Sequence, residues 1–500
     1  MQCALLDLVV DSTGNSYVYQ YTHDSSTVNN ITGGYVIKYN PSGQQLWVQC
    51  IATQIYFTGK IKLGRDGNIY LGCTTDSFQL QDFMAAKISP NGNLIWQKYF
   101  GSPQGAEGGY CNDVALDDSM NLYLVGTTAN LDKATIMKCD SAGILQWFSY
   151  YDYSTSIDRG NAIDVDNFGN VYVAVSSLDS SSRYEATVVK YYPNGQLNWE
   201  RRFSTPVGSI SYVASFIKIY NDTSVYVGGS VWYMSTGAAD YLTMKYDSTG
   251  QLKWSNIFDV ESNLNLPYNR SDNPVAMLIT RTGNIVYTGR DNDNGMPWWV
   301  NTMFDSQGNL KWINRPFNAP TDVGRSIVED RNGYLIFGGE VWNPISGMRM
   351  AMTKYDTLGN NIWSTQYFTS STESFFGTKV NVDYQGNIYA SSIRSDFIIP
   401  PIIITTLKFD NEVAVPENIN NTFEVNVFPN PASTSVTFQL NGFDEIKTLV
   451  IYDPLGKEIW RKETDENQIE LSVEGFAVGI YFYNIEQRGE CKAKGKIIIQ

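Results

Sequence analysis

Lys245-Tyr246-Asp247-Ser248-Thr249-Gly250-Gln251-Leu252-Lys253-Trp254 decides the fold, because the stretch returns at regular intervals along the chain. Copies run Lys38…Gly43…Trp47, Lys87…Gly92…Trp96, Lys138…Gly143…Trp147, Lys190…Gly195…Trp199, Met303…Gly308…Trp312 and Lys354…Gly359…Trp363. In all seven the glycine precedes the tryptophan by four residues, and successive tryptophans lie 49, 51, 52, 55, 58 and 51 residues apart. A fixed period of this length marks a repeat architecture whose units bury their faces on one another.

A second module lies between the tryptophans. Asp66-Gly67-Asn68-Ile69-Tyr70-Leu71-Gly72 matches segments beginning at Asp11, Asp118, Asp166, Asp222, Thr282, Arg331 and Tyr384, eight copies in all. A tyrosine recurs in the following strand at 17, 70, 123, 172, 226, 287 and 389. Each module reads as a hairpin, with Asp-x-x-Gly-Asn or Asp-Ser-x-Gly supplying positive φ between two short apolar runs. Two hairpins in about 50 residues make four strands, the size of one propeller blade. The strand after the Gly-Asn turn is apolar at both parities, as in Leu122-Tyr123-Leu124-Val125. A sheet with one wet face would alternate, so these strands are expected to be buried on both faces.

The expectation is an all-β chain: an eight-bladed β-propeller over residues 1–411, with seven blades as the alternative. The recurrent Lys, Tyr and Trp occur seven times around a ring, whereas chemistry happens once per site, so they read as packing devices. The indoles should lie against the neighbouring blade with N–H on a local acceptor. The lysine stems should run along aromatics and snorkel at the blade edge. Over residues 5–410 these motifs resemble the bacterial β-propeller repeat family, which implies a fold and almost nothing about function. They are also similar to the tryptophan-docking propellers of quinoprotein dehydrogenases. No quinone or calcium constellation accompanies them, so that activity is not implied.

Eight hairpins but only seven tryptophan strands leave the last blade short: Val413 and Glu417 stand where the next Gly and Trp should fall. Met1 to Asp7 offers no basic segment of a signal peptide. The expectation is a natural gene that begins upstream, with a signal peptide and a tryptophan strand that completes the ring.

Residues 412–421, with Pro416 and several Asn, read as a linker. Short strands then follow at Phe423 to Phe428, Ser435 to Leu440, Lys447 to Tyr452, Gln468 to Leu471, Gly479 to Ile485 and Lys494 to Ile499. They suggest a small immunoglobulin-like β-sandwich over residues 422–500. Phe428-Pro429-Asn430-Pro431, Leu449 to Lys457 with Gly456, Leu471…Gly479-Ile480-Tyr481-Phe482 and Gly495-Lys496-Ile497 come in that order. They resemble the type A C-terminal sorting domain of type IX secretion. The resemblance implies recognition of residues 422–500 by the outer-membrane translocon and its sortase. It also implies cleavage near residues 412–425 and a secreted or cell-surface location.

Composition narrows the rest. With 36 Lys and Arg against 51 Asp and Glu, the net charge of −15 argues against nucleic acid or an anionic membrane as partner. No apolar run reaches the roughly 18–20 residues of a membrane span, and Pro400 and Pro401 break the greasiest stretch. The six cysteines (3, 50, 73, 111, 139 and 491) form no CxxC, and the single histidine, His23, is expected in a polar loop. Asp164 to Gly169 and Asp291 to Gly295 have the flavour of calcium loops but lack a closing bidentate Glu, so no cofactor is expected. Without a Gly-x-Ser-x-Gly, His-Glu-x-x-His or P-loop, no residue is assigned to catalysis.

One asymmetry stands out. Blades five to seven carry extra aromatics in their second-to-third-strand loops: Trp232-Tyr233, Trp298-Trp299 and Val341-Trp342. Trp232 and Trp342 follow equivalent Gly-Gly pairs and should emerge on one face, where flat rings suit sugars. Trp299 aligns with Tyr241 and Phe83 and reads as core. Trp232, Tyr233, Trp298 and Trp342 are therefore the candidate ligand contacts. The favoured reading is a non-catalytic secreted propeller for adhesion or for binding a glycan or protein ligand. The alternative is a propeller-based polysaccharide lyase or hydrolase.

Overall fold

Short runs of strand-forming residues closed by Asp/Asn-Gly turns pair almost entirely with their sequence neighbours, so the chain folds as a succession of meanders. The computed structural model describes the chain except residues 1, 25–30, 53–54, 78–79, 101–108, 129–131, 154–156, 205–209, 261–270, 294–295, 318–320, 345–346, 369–372, 397–402, 410–423, 442–445, 454–456, 488–489 and 500. Residues 1–361 and 366–411 make one compact unit; residues 362–365 and 412–500 make the second. The linker at 412–421 and the cleavage region expected at 412–425 lie wholly or mainly outside the described residues.

The first unit is all-β and propeller-like. Its sheets begin with the strands Gln2–Val10, Ile55–Leu63, Gly109–Leu116, Asp158–Val165, Ile210–Tyr220, Ser271–Ile279, Val323–Glu329 and Glu373–Val382. Seven of these sheets have four antiparallel strands in sequence order. The eighth has three among the described residues, ending at Ile403–Phe409. A single parallel bridge, Ala239 to Ser271, joins the fifth sheet to the sixth.

First strands pack on one another round the ring. Asp7 Oδ2 accepts from the Ile61 amide at 3.1 Å, Asp113 Oδ2 from Ile163 at 3.2 Å, and Asp164 Oδ2 from Ile219 at 2.9 Å. The eighth sheet returns to the first: Asn381 Nδ2 donates to the Leu8 carbonyl at 3.2 Å, and Tyr389 packs with Leu5, Leu8 and Val18. As expected from their double-sided apolarity, second strands such as Leu122–Thr128 are buried along their whole length. Outer strands such as Leu94–Phe100 are mostly exposed.

The recurrent motif is a clamp between neighbouring sheets. Every glycine of the seven Gly-x-x-x-Trp hairpins sits at positive φ, and all but Gly43 lie against the preceding sheet's indole. A Cβ on Gly92, Gly143, Gly195, Gly250, Gly308 or Gly359 would lie 2.6–3.0 Å from that ring. The indole N–H donors reach the next sheet's turn rather than a local acceptor. Trp47 donates to the Pro90 carbonyl at 3.0 Å, Trp147 to Pro193 at 2.9 Å and Trp199 to Ser248 at 3.2 Å.

The lysines do not snorkel at the edge. Lys38, Lys87 and Lys190 are buried, with Nζ 4.8–5.0 Å from the centroids of Tyr17, Tyr70 and Tyr172. Lys38 and Lys190 donate to the same carbonyls as the tryptophans, at 3.0 Å each. A buried ammonium persists because a ring face and a carbonyl replace its water.

Register corrects one reading of the repeat. Tyr17, Tyr70, Tyr123, Tyr172, Tyr226 and Tyr389 each pair across the strand with the motif lysine. Tyr287 instead faces Thr302, and Val286 pairs with Met303. Tyr287 is therefore offset by one residue and points to the opposite face. The sixth sheet has lost the Lys–Tyr pair as a pair.

The second unit is two facing sheets, ordered Glu424–Phe428, Ser435–Asn441, Gln468–Ser472 and Glu458–Thr464, Lys447–Tyr452, Gly479–Gln487, Glu490–Ile499. Phe438, Leu440 and Ile469 from one meet Leu449, Ile451, Tyr483 and Ile497 from the other. Glu458–Thr464 was not among the strands expected from the sequence. It is a charged edge strand, the composition that keeps edges from pairing further.

Candidate functional site

The loops between second and third strands emerge on the face opposite the Asp-x-x-Gly-Asn turns, and there the periodicity breaks down. On the fifth sheet Ser224–Tyr233 ends in Trp232 and Tyr233; on the seventh Leu335–Asn343 ends in Trp342 and Asn343. Trp232 is 38% exposed and Trp342 41%. Trp298, near the start of Met296–Phe304 on the intervening sixth sheet, is half-buried under the Arg315 guanidinium, 5.4 Å from its ring centroid.

Trp299 is fully buried, as its alignment implied. Its Nε1 donates to Thr288 Oγ1 at 2.9 Å and Asn301 Oδ1 at 2.8 Å.

Acidic groups surround these rings. Tyr233 donates its hydroxyl to Asp240 Oδ2 at 2.8 Å, and burial with the Asp240 charge holds the phenol well above its ordinary range. Carboxylate oxygens of Asp240, Asp259 and Asp272 lie within 4.8 Å of one another. Burial, with the Asp259 charge beside it, raises the Asp240 carboxyl. Asp272 also accepts from the Val260 amide at 2.7 Å. Asp291 pairs with Arg315, and Asp322 accepts from the Trp342 amide at 3.0 Å. The rim thus offers exposed rings beside carboxylates that could accept hydroxyl donors, in a field that disfavours polyanions.

Of the two calcium-like stretches, Asp291 to Gly295 lies partly outside the described residues, and in Asp164 to Gly169 the carboxylates are engaged within the protein. Asp166 accepts from Phe168, Asn170 and Tyr172, and Asp164 from Val165 and Ile219. His23 lies not in a loop but in a strand, Ser16–Asp24, with its side chain outside the described residues.

A second cluster lies where first strands converge, and sequence reasoning missed it. Arg325 Nε pairs with buried Glu340 at 2.8 Å, and Glu340 Oε1 accepts from the Thr378 amide at 2.7 Å. Burial, with Lys60 and Arg325 nearby, lowers the Lys379 ammonium to about 8, against the opposing pull of Asp7 and Glu340. The signal was present: Asp7, Lys60 and Lys379 occupy one rank on neighbouring sheets, opposite Tyr19, Gly72 and Ser391. The acidic trio carried no such signal, because Asp259 comes from a connection between sheets.

In the second unit the sorting motifs from the two ends of the domain meet. Asn430 Nδ2 donates to the Lys496 carbonyl at 3.1 Å, and its Oδ1 accepts from the Ile498 amide at 2.8 Å. Pro429 and Pro431 flank it, and the next residue, Ala432, donates to the Ile498 carbonyl at 2.8 Å. Tyr481 donates to the Ala477 carbonyl at 2.9 Å, and Gly479 pairs with Ile499. Lys496 is exposed; Gly456 lies outside the described residues.

Residues 426–500 match the family model of the secretion system C-terminal sorting domain. An endo-acting ulvan lyase of Formosa agariphila is 29% identical over 151 residues, 28% of each chain, so this chain spans about 28% of that relative's length. Among solved structures, a PL25 ulvan lyase superposes with a TM-score of 0.46 at 9% identity, covering 82% of this chain and 94% of its own. The β-propeller domain of the Trilobed protease from Pyrococcus furiosus gives 0.44 at 10% identity, covering 74% and 97%. No helix among the described residues is long and apolar enough to cross a membrane. The C-terminal residues are a type IX sorting domain, and the chain that carries them is a secreted or cell-surface protein.

Proposed function

We propose that residues 1–411 form an eight-bladed β-propeller that binds carbohydrate on the loop face of its fifth to seventh blades without chemical turnover. Residues 412–421 act as a linker, and residues 422–500 deliver the propeller through the type IX translocon and its sortase. One observation carries the binding reading: Trp232 and Trp342, exposed at equivalent strand ends, flank Trp298 on the blade between them. Indole faces stack on sugar rings, and the partly exposed Asp240 and Asp259 would accept ring hydroxyls. The acidity of that rim and the net charge of −15 favour a neutral glycan over a polyanionic one. Display on the cell surface would make such binding adhesive.

A polysaccharide lyase remains the second reading, for one reason beyond the ulvan lyase relative. A lysine near pH 8 is suited to general-base work, and Lys379 sits beside Lys60 and Arg325, which could hold a uronate carboxylate. In β-elimination the base takes the proton next to that carboxylate, a double bond forms as the glycosidic C–O bond breaks, and the leaving oxygen takes a proton from water.

A glycan screen of residues 1–411, run beside an ultraviolet assay for unsaturated uronyl product on ulvan and other uronates, separates the two. Retention of neutral glycans without product is expected. Product formation that disappears in Lys379→Met would overturn the non-catalytic reading.

A further inference from the structure

A register shift interrupts the first strand of every sheet in the first unit, at nearly the same level each time. A bulge of this kind leaves residues out of the ladder and re-aims the side chains beside it. On the third and fourth sheets the residue left out is a neutral asparagine tied to the next sheet. Asn112 Nδ2 donates to the Gly160 carbonyl at 2.8 Å, and Asn161 Nδ2 to the Ala214 carbonyl at 2.7 Å. On the second, seventh and eighth sheets the same level carries cations: Lys60, Arg325 and Lys379.

Two carboxylates share that level, and each already accepts from other donors. Asp7 Oδ1 accepts from the Leu8 amide at 3.1 Å and Oδ2 from the Ile61 amide at 3.1 Å. Fully buried Glu340 accepts from Arg325 Nε at 2.8 Å and from the Thr378 amide at 2.7 Å. Arg325 uses its Nε alone, and neither Lys60 nor Lys379 donates to an acceptor among the described residues. Both lysines are half-buried. Burial, then the Lys60 and Arg325 charges, depress the Lys379 ammonium. A charged donor withdrawn from water without an acceptor is costly. The cluster therefore has positive charge and donors to spare, inside a chain whose net charge is −15.

We propose that Lys60, Arg325 and Lys379 form a binding site for one small oxyanion, a sulfate, phosphate or carboxylate group, where these first strands converge. Such a group supplies the acceptor oxygens that two ammoniums and the remaining guanidinium nitrogens lack. Hydrogen bonds from cationic donors to anionic oxygen are roughly twice as strong as neutral ones. Three cations set against two carboxylates suit a single anionic group rather than a run of them. The Arg325 side chain is 36% exposed, so the cluster is open to solvent. The site depends neither on the rim indoles nor on turnover, and binding alone reads it.

The test follows thermal unfolding of the full 500-residue chain in sodium sulfate, with sodium chloride holding the ionic strength constant, and repeats it in sodium glucuronate. An anion bound by the folded chain alone stabilises it, so the midpoint should rise with sulfate and saturate. In Lys60→Met the half-saturating concentration should increase about tenfold or more, for the loss of a charge-assisted contact. Lys379→Met should gain nothing from the anion, so any stability it has over the parent should shrink as the parent fills. A glucuronate response that the same two substitutions remove upholds the site with an acidic sugar as its source. A response to sulfate alone upholds it with a free oxyanion. A rise that stays linear in both salts, or one that saturates equally in the parent and both variants, would overturn the proposal.

Discussion

Gly92→Ala and Gly43→Ala make the same chemical change at the same turn position, and the structure gives them different costs. Both glycines sit at positive φ, 88° and 83°. The backbone term is common to both, about 1–2 kcal/mol for an alanine held in the left-handed region. At Gly92 the new Cβ would also lie 2.7 Å from Trp47 Cδ2 and 2.8 Å from its Cγ. Relieving that overlap means moving an indole that is hydrogen-bonded to Pro90, and overpacking of this kind costs about 1–3 kcal/mol. At Gly43 nothing lies within 4 Å, so the second cost is missing. Gly92→Ala should therefore destabilise by about 2–5 kcal/mol and Gly43→Ala by about 1–2 kcal/mol. Denaturant unfolding of residues 1–411 followed by tryptophan fluorescence measures both. Trp47→Ala combined with Gly92→Ala should cost less than the sum of the single changes, because removing the ring removes the clash. Equal losses at the two glycines, or strict additivity in the double variant, would refute the clamp as the reason for the four-residue Gly–Trp spacing.

Three further outcomes are expected. Under native conditions Cys50 should take up a thiol reagent while Cys73, Cys111 and Cys139 do not, as mass spectrometry of labelled peptides would read. Cys50 is exposed, whereas burial removes the other three from contact and pushes Cys73 and Cys139 up to about 12. Lys379→Met should stabilise the propeller at pH 7, by up to about 3 kcal/mol given 1.36 kcal/mol per pKa unit, with the gain shrinking from pH 8 towards 10.5. The sign follows from a folded-state value of about 8 below the ordinary 10.5: in that window the unfolded chain keeps a proton that the folded chain has lost, so folding becomes easier as pH rises. Asn430→Ala removes the two side-chain hydrogen bonds of Asn430 to the last strand and should lower surface delivery in a host with type IX secretion while leaving the melting of residues 1–411 unchanged.

What the sequence made legible was whatever is local and repeated. The Asp-x-x-Gly-Asn and Asp-x-x-Gly turns are closed by their own Asp side chains, as Asp383 does with Gln385 and Asn387, so each hairpin can be read without its neighbours. Asp453…Gly456…Trp460 repeats the same spacing in the sandwich, where it again connects two strands at Lys447–Tyr452 and Glu458–Thr464. It could have revealed the strand that was missed there.

Tyr287 was aligned by letter with the other tyrosines, but register depends on the partner strand, and Met303 in place of lysine was the clue that it had slipped. The rim was half legible. Trp232 and Trp342 were marked by their Gly-Gly neighbours, while Asp240, Asp259 and Asp272 meet only because a sheet-to-sheet connection brings them together. No spacing rule in a single chain encodes that meeting.

The carbohydrate-binding account turns on the rim indoles, and a calorimetric titration reads them directly. The ligand is the oligosaccharide best retained in the glycan screen, titrated into residues 1–411 and into the same chain with Trp232→Ala and Trp342→Ala. Stacked aromatics are worth about 0.5–1.5 kcal/mol each beyond their buried area. The double variant should therefore bind about tenfold or more weakly, with unchanged unfolding, since both rings are substantially exposed. Undiminished affinity in a folded double variant would contradict the account.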